Sequence, residues 1–182
     1  MMLRKLQTLW LRLQAQWALS QARTTTECAL RRASIAKVLV VCHGNIYRSA
    51  LVGEYLRQRL PEQFETQSAG FHPVGQRPAP QQHIDMCAAV GIDLGPHRST
   101  VLTLQQSAWA DIIVLMDRRN WVALRRLGAD PSRFVWLGAL VPGPVEIADP
   151  YGLAESKAQV IVDRLLVCSK QLVERLLSRD AR

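Results

Sequence analysis

The chain is organised around Val38-Leu39-Val40-Val41-Cys42-His43-Gly44-Asn45-Ile46-Tyr47-Arg48-Ser49-Ala50-Leu51. The aliphatic residues that open this stretch predict a short buried strand. Gly44 and Asn45 tolerate unusual backbone angles and predict a tight loop. Apolar residues then recur at helical spacing from about Ser49 until Pro61, which ends the predicted helix. The stretch therefore predicts a strand, a loop and a helix, with Cys42 where the strand ends.

This arrangement predicts an anion site that contains a nucleophile. Amide groups of a loop that leads into a helix N-terminus point towards an anion, and the helix dipole adds to the attraction. Arg48 offers a planar set of donors that matches phosphate oxygens. A cysteine at the base of such a positive site loses its proton easily, and the thiolate is the reactive form. These residues also allow an alternative, in which Cys42 is a packed structural cysteine and Arg48 is solvated.

The rest of the chain alternates between strand and helix patterns. The predicted strands cover residues 64–68, 112–116 and 134–137, and the predicted helices cover residues 80–90, 103–108, 118–127 and 154–178. This order predicts the α/β class, with an open parallel sheet and helices on both faces. Such sheets bind ligands at the carboxyl ends of their strands, which is where Cys42 lies. On the helix at 80–90 we expect Cys87 to be packed and His83 to be solvated.

Composition indicates one globular domain without a metal site. The chain has 182 residues, of which 48% are hydrophobic and 21% are charged, as in ordinary soluble proteins. Its four cysteines contain no C-x-x-C pair, so we expect no zinc. Cysteines without close pairing also favour a reducing, cytoplasmic location over a disulfide-built protein.

The net charge of +8 is concentrated at the N-terminus. Residues 1–36 contain six basic residues and one acidic residue, which leaves the remainder close to neutral. A nearly neutral body argues against nucleic acid as a partner.

Residues 1–36 are predicted to be a basic amphipathic extension followed by a linker. One helical stripe is apolar and consists of Leu3, Leu6, Trp10, Leu13 and Trp17. Three interpretations stay open: residues 2–22 contact an anionic membrane surface, they pack on their own domain or on a partner, or they form a poorly ordered or transit-like start. Arg12 and the polar residues near it exclude a spanning helix. Residues 24–36 look like the linker.

The segment 41–49, Val-Cys-His-Gly-Asn-Ile-Tyr-Arg-Ser, resembles the phosphate loop of the low-molecular-weight protein tyrosine phosphatases, V-C-x-G-N-I-C-R-S. Tyr47 stands in place of the family's second cysteine, and Ala50 in place of its usual proline. Further similar segments follow in the family's order: Ser68-Ala69-Gly70, residues 91–99, residues 110–117 and Asp149-Pro150-Tyr151. The resemblance places the phosphatase domain at residues 37–182 and is strongest to bacterial members.

The resemblance implies a sheet in the order 2-1-3-4 and protein-tyrosine phosphatase activity without a cofactor. Cys42 would form a phosphocysteine, Arg48 would bind phosphate, and Asp149 would act as general acid and then as base. The predicted phosphate-binding residues are His43, Gly44, Asn45, Ile46, Tyr47, Arg48 and Ser49. The remaining predicted site residues are Ser68 and His97, which would brace Asn45, and Phe71 and Tyr151, which would line the substrate pocket.

Two other functions compete with phosphatase activity. A non-catalytic phosphotyrosine-binding protein would also use such a loop, and thiol-dependent arsenate reductases share the fold. The resemblance to bacterial members suggests a phosphotyrosine protein as substrate, with a membrane tyrosine kinase of polysaccharide export as one candidate. A location in the cytoplasm, peripheral to the inner membrane surface, would suit the N-terminal stripe.

Overall fold

The computed structural model describes residues 2–178, and within its first helix it describes the side chains from residue 9 onwards. The helices are α1 (Met2–Ser20), α2 (Ala22–Leu30), α3 (Arg48–Arg59), α4 (Gln81–Ala88), α5 (Leu104–Trp109), α6 (Arg118–Arg126) and α7 (Glu155–Leu177). The strands are β1 (Lys37–Cys42), β2 (Glu65–Gly70), β3 (Ile112–Leu115) and β4 (Phe134–Trp136). None of the helices in this part of the chain is long and apolar enough to cross a membrane.

The four strands form one parallel sheet in the order β2-β1-β3-β4. Because β1 lies between β2 and β3, the chain leaves β1 towards one edge and later returns to its other side. The register pairs Cys42 with Gly70, so these two strands end at the same level. The predicted fold class and strand order are confirmed, and Cys42 lies at the switch in strand order.

Helices cover both faces of the sheet because β1 and β3 are apolar on both sides. One core cluster joins Val38 and Val40 to α3 and α7, and the other joins Leu39 and Val41 to α1 and α6. All four of these β1 side chains are fully buried. Continuous apolar runs of this kind are typical of parallel strands that are buried on both faces.

The prediction that residues 24–36 form a linker is wrong for the first part of that range. Helix α2 covers Ala22–Leu30, and Thr26 and Ala29 on it are buried. The Thr26 hydroxyl accepts a hydrogen bond from the Trp136 backbone N–H at 3.0 Å. Helix α2 therefore covers the edge strand β4, and this packing outweighs the low helix propensity of three consecutive threonines.

Candidate active site

A cleft of about 390 Å³ opens at the carboxyl ends of β1 and β2. It is lined by Cys42, His43, Gly44, Ile46, Tyr47, His72, Arg77, Arg119, Asp149 and Tyr151. The cleft thus brings together the 42–49 loop, the loop after β2, the start of α6 and the segment before α7. The predicted nucleophile and the predicted general acid, which are far apart in the sequence, lie in the same cleft.

Cys42 is buried at the end of β1 and has polar partners on two sides. Its Sγ lies 3.0 Å from the Ser49 hydroxyl, and the Asn45 backbone N–H donates to Sγ at 3.2 Å. Ser49 Oγ already accepts from Asn45 Nδ2 at 2.9 Å, and its other neighbour, the Ala69 carbonyl, is 3.4 Å away. The Ser49 proton is therefore best placed to be donated to the Cys42 sulfur.

Asn45 is held in a left-handed backbone conformation, with φ at 52°. Its side chain donates to Ser49 and to Ser68 Oγ (3.0 Å) and accepts from the Thr100 backbone N–H (2.8 Å). Its carbonyl accepts from His97 Nε2 at 2.6 Å, which assigns the proton to that nitrogen. Every polar group of Asn45 is thus hydrogen-bonded, and these contacts hold a conformation that an L-residue rarely adopts.

Gly70 lets β2 end directly against the 42–49 loop. A Cβ at this position would lie 2.7 Å from the His43 carbonyl oxygen and 2.8 Å from the Asn45 nitrogen. On the other side, Arg77 Nη2 donates to the Gly44 carbonyl at 2.7 Å. The loop backbone is therefore confined from both sides before any ligand arrives.

Arg48 begins α3 and is fully buried. Its Nη1 donates to Asp117 Oδ2 at 2.6 Å and to the Ile147 carbonyl at 2.9 Å, and its Nη2 donates to Asp149 Oδ2 at 2.6 Å. Burial alone would lower the pKa of Arg48, but Cys42, Asp149 and Asp117 together raise it above its ordinary value. The guanidinium therefore stays cationic at the closed end of the site.

Two sets of potential hydrogen-bond donors lie at this end of the site. No side chain caps α3, so the N–H groups of its first turn lack partners within the helix. The Arg48 Nε is buried and has no hydrogen-bond partner among the described residues. Unpaired buried donors are costly, and an anion would satisfy them.

Aromatic rings form one wall of the cleft. Tyr47 and Tyr151 lie edge to face, with ring centroids 6.3 Å apart. Burial raises the pKa of Tyr47, and Asp149 and Tyr151 add to the increase, so its hydroxyl stays protonated at neutral pH. The wall therefore presents two aromatic rings to an incoming group.

The structure differs from the prediction for Phe71. The residues that line the cleft include Tyr151 but not Phe71. The Phe71 ring packs edge-on against His43, with centroids 4.7 Å apart, and joins the core cluster under α6. Phe71 thus supports His43 from behind, while His72 occupies the rim.

Burial lowers the pKa of His43, and His72, Arg48 and Arg77 lower it further against the opposite effect of Asp149.

The structure also corrects the expectation that His83 is solvated. His83 is buried, its Nε2 lies 3.2 Å from the Tyr47 carbonyl oxygen, and its ring lies 4.7 Å from that of Tyr47. Burial lowers its pKa from 6.5 to about 4, although the hydrogen bond to Tyr47 opposes this. His83 is therefore neutral at pH 7 and supports the loop from below.

We expect protonation of His83 to destabilise the protein in mild acid. Because its pKa is lower in the folded protein, the unfolded chain binds more protons between pH 6.5 and about 4, and the free energy of unfolding falls as the pH drops through this window. From pH 7 to pH 5 this loss is about 2 kcal/mol. Urea unfolding at the two pH values should show a smaller loss for His83→Gln, and His72→Gln should behave like wild type. Equal losses in all three proteins would contradict this assignment.

The sequence patterns do not predict three contacts of the site. Asp117 and Arg77 hold Arg48 and Gly44, and the Thr100 N–H holds Asn45. Only Asp117 carried a usable signal, because it directly follows a buried strand and starts a helix that it caps through Asn120. The other two lie in irregular segments, where spacing predicts no contact.

Comparison with known proteins identifies the family. The family model described as low molecular weight phosphotyrosine protein phosphatase matches residues 37–181. The low molecular weight protein-tyrosine-phosphatase Etp of Escherichia coli (strain K12) is 29% identical over 139 residues, which is 76% of this chain and 93% of Etp.

Solved structures agree with this result. The tyrosine phosphatase Wzb from Escherichia coli K30, in complex with sulphate, superposes with a TM-score of 0.73 at 26% identity, over 79% of this chain and 99% of Wzb. The YwlE arginine phosphatase from Geobacillus stearothermophilus has a TM-score of 0.72 at 24% identity, over 79% of this chain and 94% of its own. The second likeness shows the fold alone. The chain belongs to the low molecular weight phosphotyrosine protein phosphatase family and is an enzyme of the protein-tyrosine-phosphatase class.

Proposed function

We propose that the protein hydrolyses phosphotyrosine in proteins through a phosphocysteine on Cys42. The observation that carries the proposal is one cleft that contains the Cys42 sulfur, the Asp149 carboxylate and a wall of tyrosine rings. The sulfur would attack phosphorus and displace the tyrosine oxygen. Water would then release inorganic phosphate from Cys42, and the Ser49 hydroxyl would stabilise the departing thiolate.

The phosphate would bind to the backbone amides of loop residues 43–49 and to the Arg48 guanidinium. The uncapped first turn of α3 and the unpaired Arg48 Nε supply donors for the phosphate oxygens. Asp117 holds the guanidinium from behind, so that it is oriented before substrate arrives. The bonds of Asn45 to Ser68 and His97 would keep the loop amides in a fixed arrangement. The positive charge needed in the transition state then comes from the protein itself, without a metal or another cofactor.

Asp149 would supply the proton that the leaving tyrosine oxygen needs. It lines the cleft, and its side chain keeps about a third of its surface exposed, unlike the deeper Asp117. From this position a protonated Asp149 would donate to the tyrosine oxygen as that oxygen leaves phosphorus. After transfer, the Asp149 carboxylate would take a proton from the attacking water.

The cleft favours phosphotyrosine over phosphoarginine. Tyr47 and Tyr151 offer apolar faces to an aromatic ring, whereas Arg77 and Arg119 in the lining would repel a guanidinium. An acidic peptide around the phosphotyrosine fits the same cationic lining. The arginine phosphatase that shares the fold therefore makes phosphoarginine the most informative comparison substrate.

The test is release of inorganic phosphate from one peptide that carries phosphotyrosine, phosphoserine or phosphoarginine, with a chelator present. We expect kcat/KM for phosphotyrosine to exceed the other two by on the order of 100-fold, because phosphoserine has no ring to pack on the aromatic wall and the guanidinium of phosphoarginine is repelled by Arg77 and Arg119. Tight phosphotyrosine binding without turnover would establish the non-catalytic alternative. Absence of phosphate release, together with reduction of arsenate to arsenite at the expense of an added thiol, would establish the arsenate reductase alternative. A preference for phosphoarginine would overturn the proposed substrate class.

Three finer proposals rest on this function. Residues 37–182 would form the phosphatase domain and residues 1–36 an extension, as the range of the family match supports. The location would be cytoplasmic, since the four cysteines are unpaired. The protein substrate would be a bacterial tyrosine kinase of polysaccharide export. If phosphotyrosine on such a kinase is the same in cells with wild-type protein and with Cys42→Ser, another substrate must be sought.

A further inference from the structure

Helix α1 presents two faces of different chemistry. Leu11, Ala15 and Ala18 are buried in the core cluster that also contains Trp121 and Leu124 of α6. Away from this docked face lie four large apolar side chains that are more than half exposed: Leu9 (55%), Trp10 (58%), Leu13 (63%) and Trp17 (68%). The predicted apolar stripe is therefore not the face that packs on the domain. Its members Leu3 and Leu6 lie outside the described side chains.

These four side chains, which we call the Trp face, form one continuous strip. Leu9, Leu13 and Trp17 follow at intervals of four residues, and Trp10 precedes Leu13 by three, so all lie on one side of the helix. Contiguous apolar patches are uncommon on soluble monomers and mark contact sites, whereas single exposed residues are ordinary. Helix α1 already has its docked face, so stability of the domain does not explain the Trp face.

Helix α1, which carries the Trp face, contains basic residues and no acidic ones. Neither α1 nor α6, which packs against it, contains an acidic residue, and Arg12 at the edge of the strip is exposed. The Arg118 guanidinium of α6 bonds to Gln16 of α1 and to Glu146. A second copy of the chain would bring a like charge against this surface, whereas an anionic partner would be attracted.

We propose that the Trp face binds the surface of an anionic lipid bilayer. Helix α1 would lie parallel to the surface, with Trp10, Leu13 and Trp17 among the acyl chains and headgroups and Arg12 beside lipid phosphates. Since α1 is docked on α6, and Arg119 of α6 lines the catalytic cleft, binding would tether the catalytic domain to the membrane surface. This proposal does not depend on the catalytic activity.

The test is cosedimentation of the full chain with phosphatidylcholine vesicles, with and without phosphatidylserine. We expect binding only to the anionic vesicles, a blue shift of tryptophan emission, and weaker binding at high salt. Trp10→Gln/Trp17→Gln should lower the partition coefficient by about tenfold or more, and Arg12→Gln by about fivefold. Val160→Gln/Val167→Gln is the matched control, because both valines are exposed on α7 (67% and 57%), and it should bind like wild type.

Each other outcome would overturn the proposal. Equal binding to neutral vesicles would show that the lipid charge plays no part in binding. Absence of binding to both kinds of vesicle would show that the Trp face does not bind a bilayer. If wild type forms dimers in sedimentation equilibrium, does not bind vesicles, and loses the dimer in Trp10→Gln/Trp17→Gln, the Trp face joins two copies instead. Unchanged hydrolysis of p-nitrophenyl phosphate would show that each variant is folded.

Discussion

Cys42→Ser is expected to abolish hydrolysis, with a loss of kcat of about 10⁴-fold or more. A serine hydroxyl can still form hydrogen bonds with Ser49 and Asn45, but it is a far weaker nucleophile than a thiolate. Since Arg48 and the loop amides are untouched, binding of inorganic phosphate should persist. Turnover of p-nitrophenyl phosphate and calorimetric titration with phosphate measure the two effects separately.

Cys87→Ser is the matched control for this experiment. Cys87 is also buried, but burial raises the pKa of its thiol to about 12, so it is not a thiolate at working pH. Its Sγ faces His83 on α4 and does not line the cleft. We therefore expect normal turnover in Cys87→Ser, with at most some loss of stability. Substantial turnover in Cys42→Ser, or its loss in both variants, would contradict the assignment of Cys42 as nucleophile.

The sheet was predictable because its causes are local. The apolar runs of β1 and β3 are long enough to identify buried strands, and the change to helical spacing after Ser49 marks where a crossover helix begins. Parallel connection of successive strands then follows from general rules of chain connectivity. Local patterns of this kind need no knowledge of distant residues.

Contacts between distant segments could not be predicted from these patterns. The Arg48 guanidinium meets Asp117, which lies 69 residues away, only because both lie at the carboxyl ends of neighbouring strands. The sequence predicts His83 in solvent, but α4 turns it towards the Tyr47 carbonyl. Helix α2 is likewise held by contacts with a distant segment, among them the hydrogen bond from Trp136 to Thr26. In each case tertiary packing decides where a polar side chain points.

The expected effect of Asp149→Asn depends on the leaving group. Phenolate of tyrosine requires a proton as it leaves, so we expect kcat for a phosphotyrosine peptide to fall by about 10²–10⁴-fold. The p-nitrophenolate ion is stable without protonation, so formation of the phosphocysteine from p-nitrophenyl phosphate should survive. Hydrolysis of the phosphocysteine, which is the second step, still lacks the base that Asp149 would supply. Stopped-flow measurement should therefore show a burst of p-nitrophenolate followed by slow turnover, and no burst of dephosphorylated peptide.

Asp117→Asn separates this chemical role from a structural one. Asp117 and Asp149 both accept a 2.6 Å bond from the Arg48 guanidinium, but only Asp149 lines the cleft. If both carboxylates merely position Arg48, the two variants should behave alike, with a raised KM and equal losses on both substrates. We expect this pattern for Asp117→Asn alone, because a less firmly held guanidinium binds every phosphate more weakly. A burst in Asp149→Asn and none in Asp117→Asn would assign the proton transfer to Asp149. The same kinetics in both variants would show that Asp149, like Asp117, only positions Arg48.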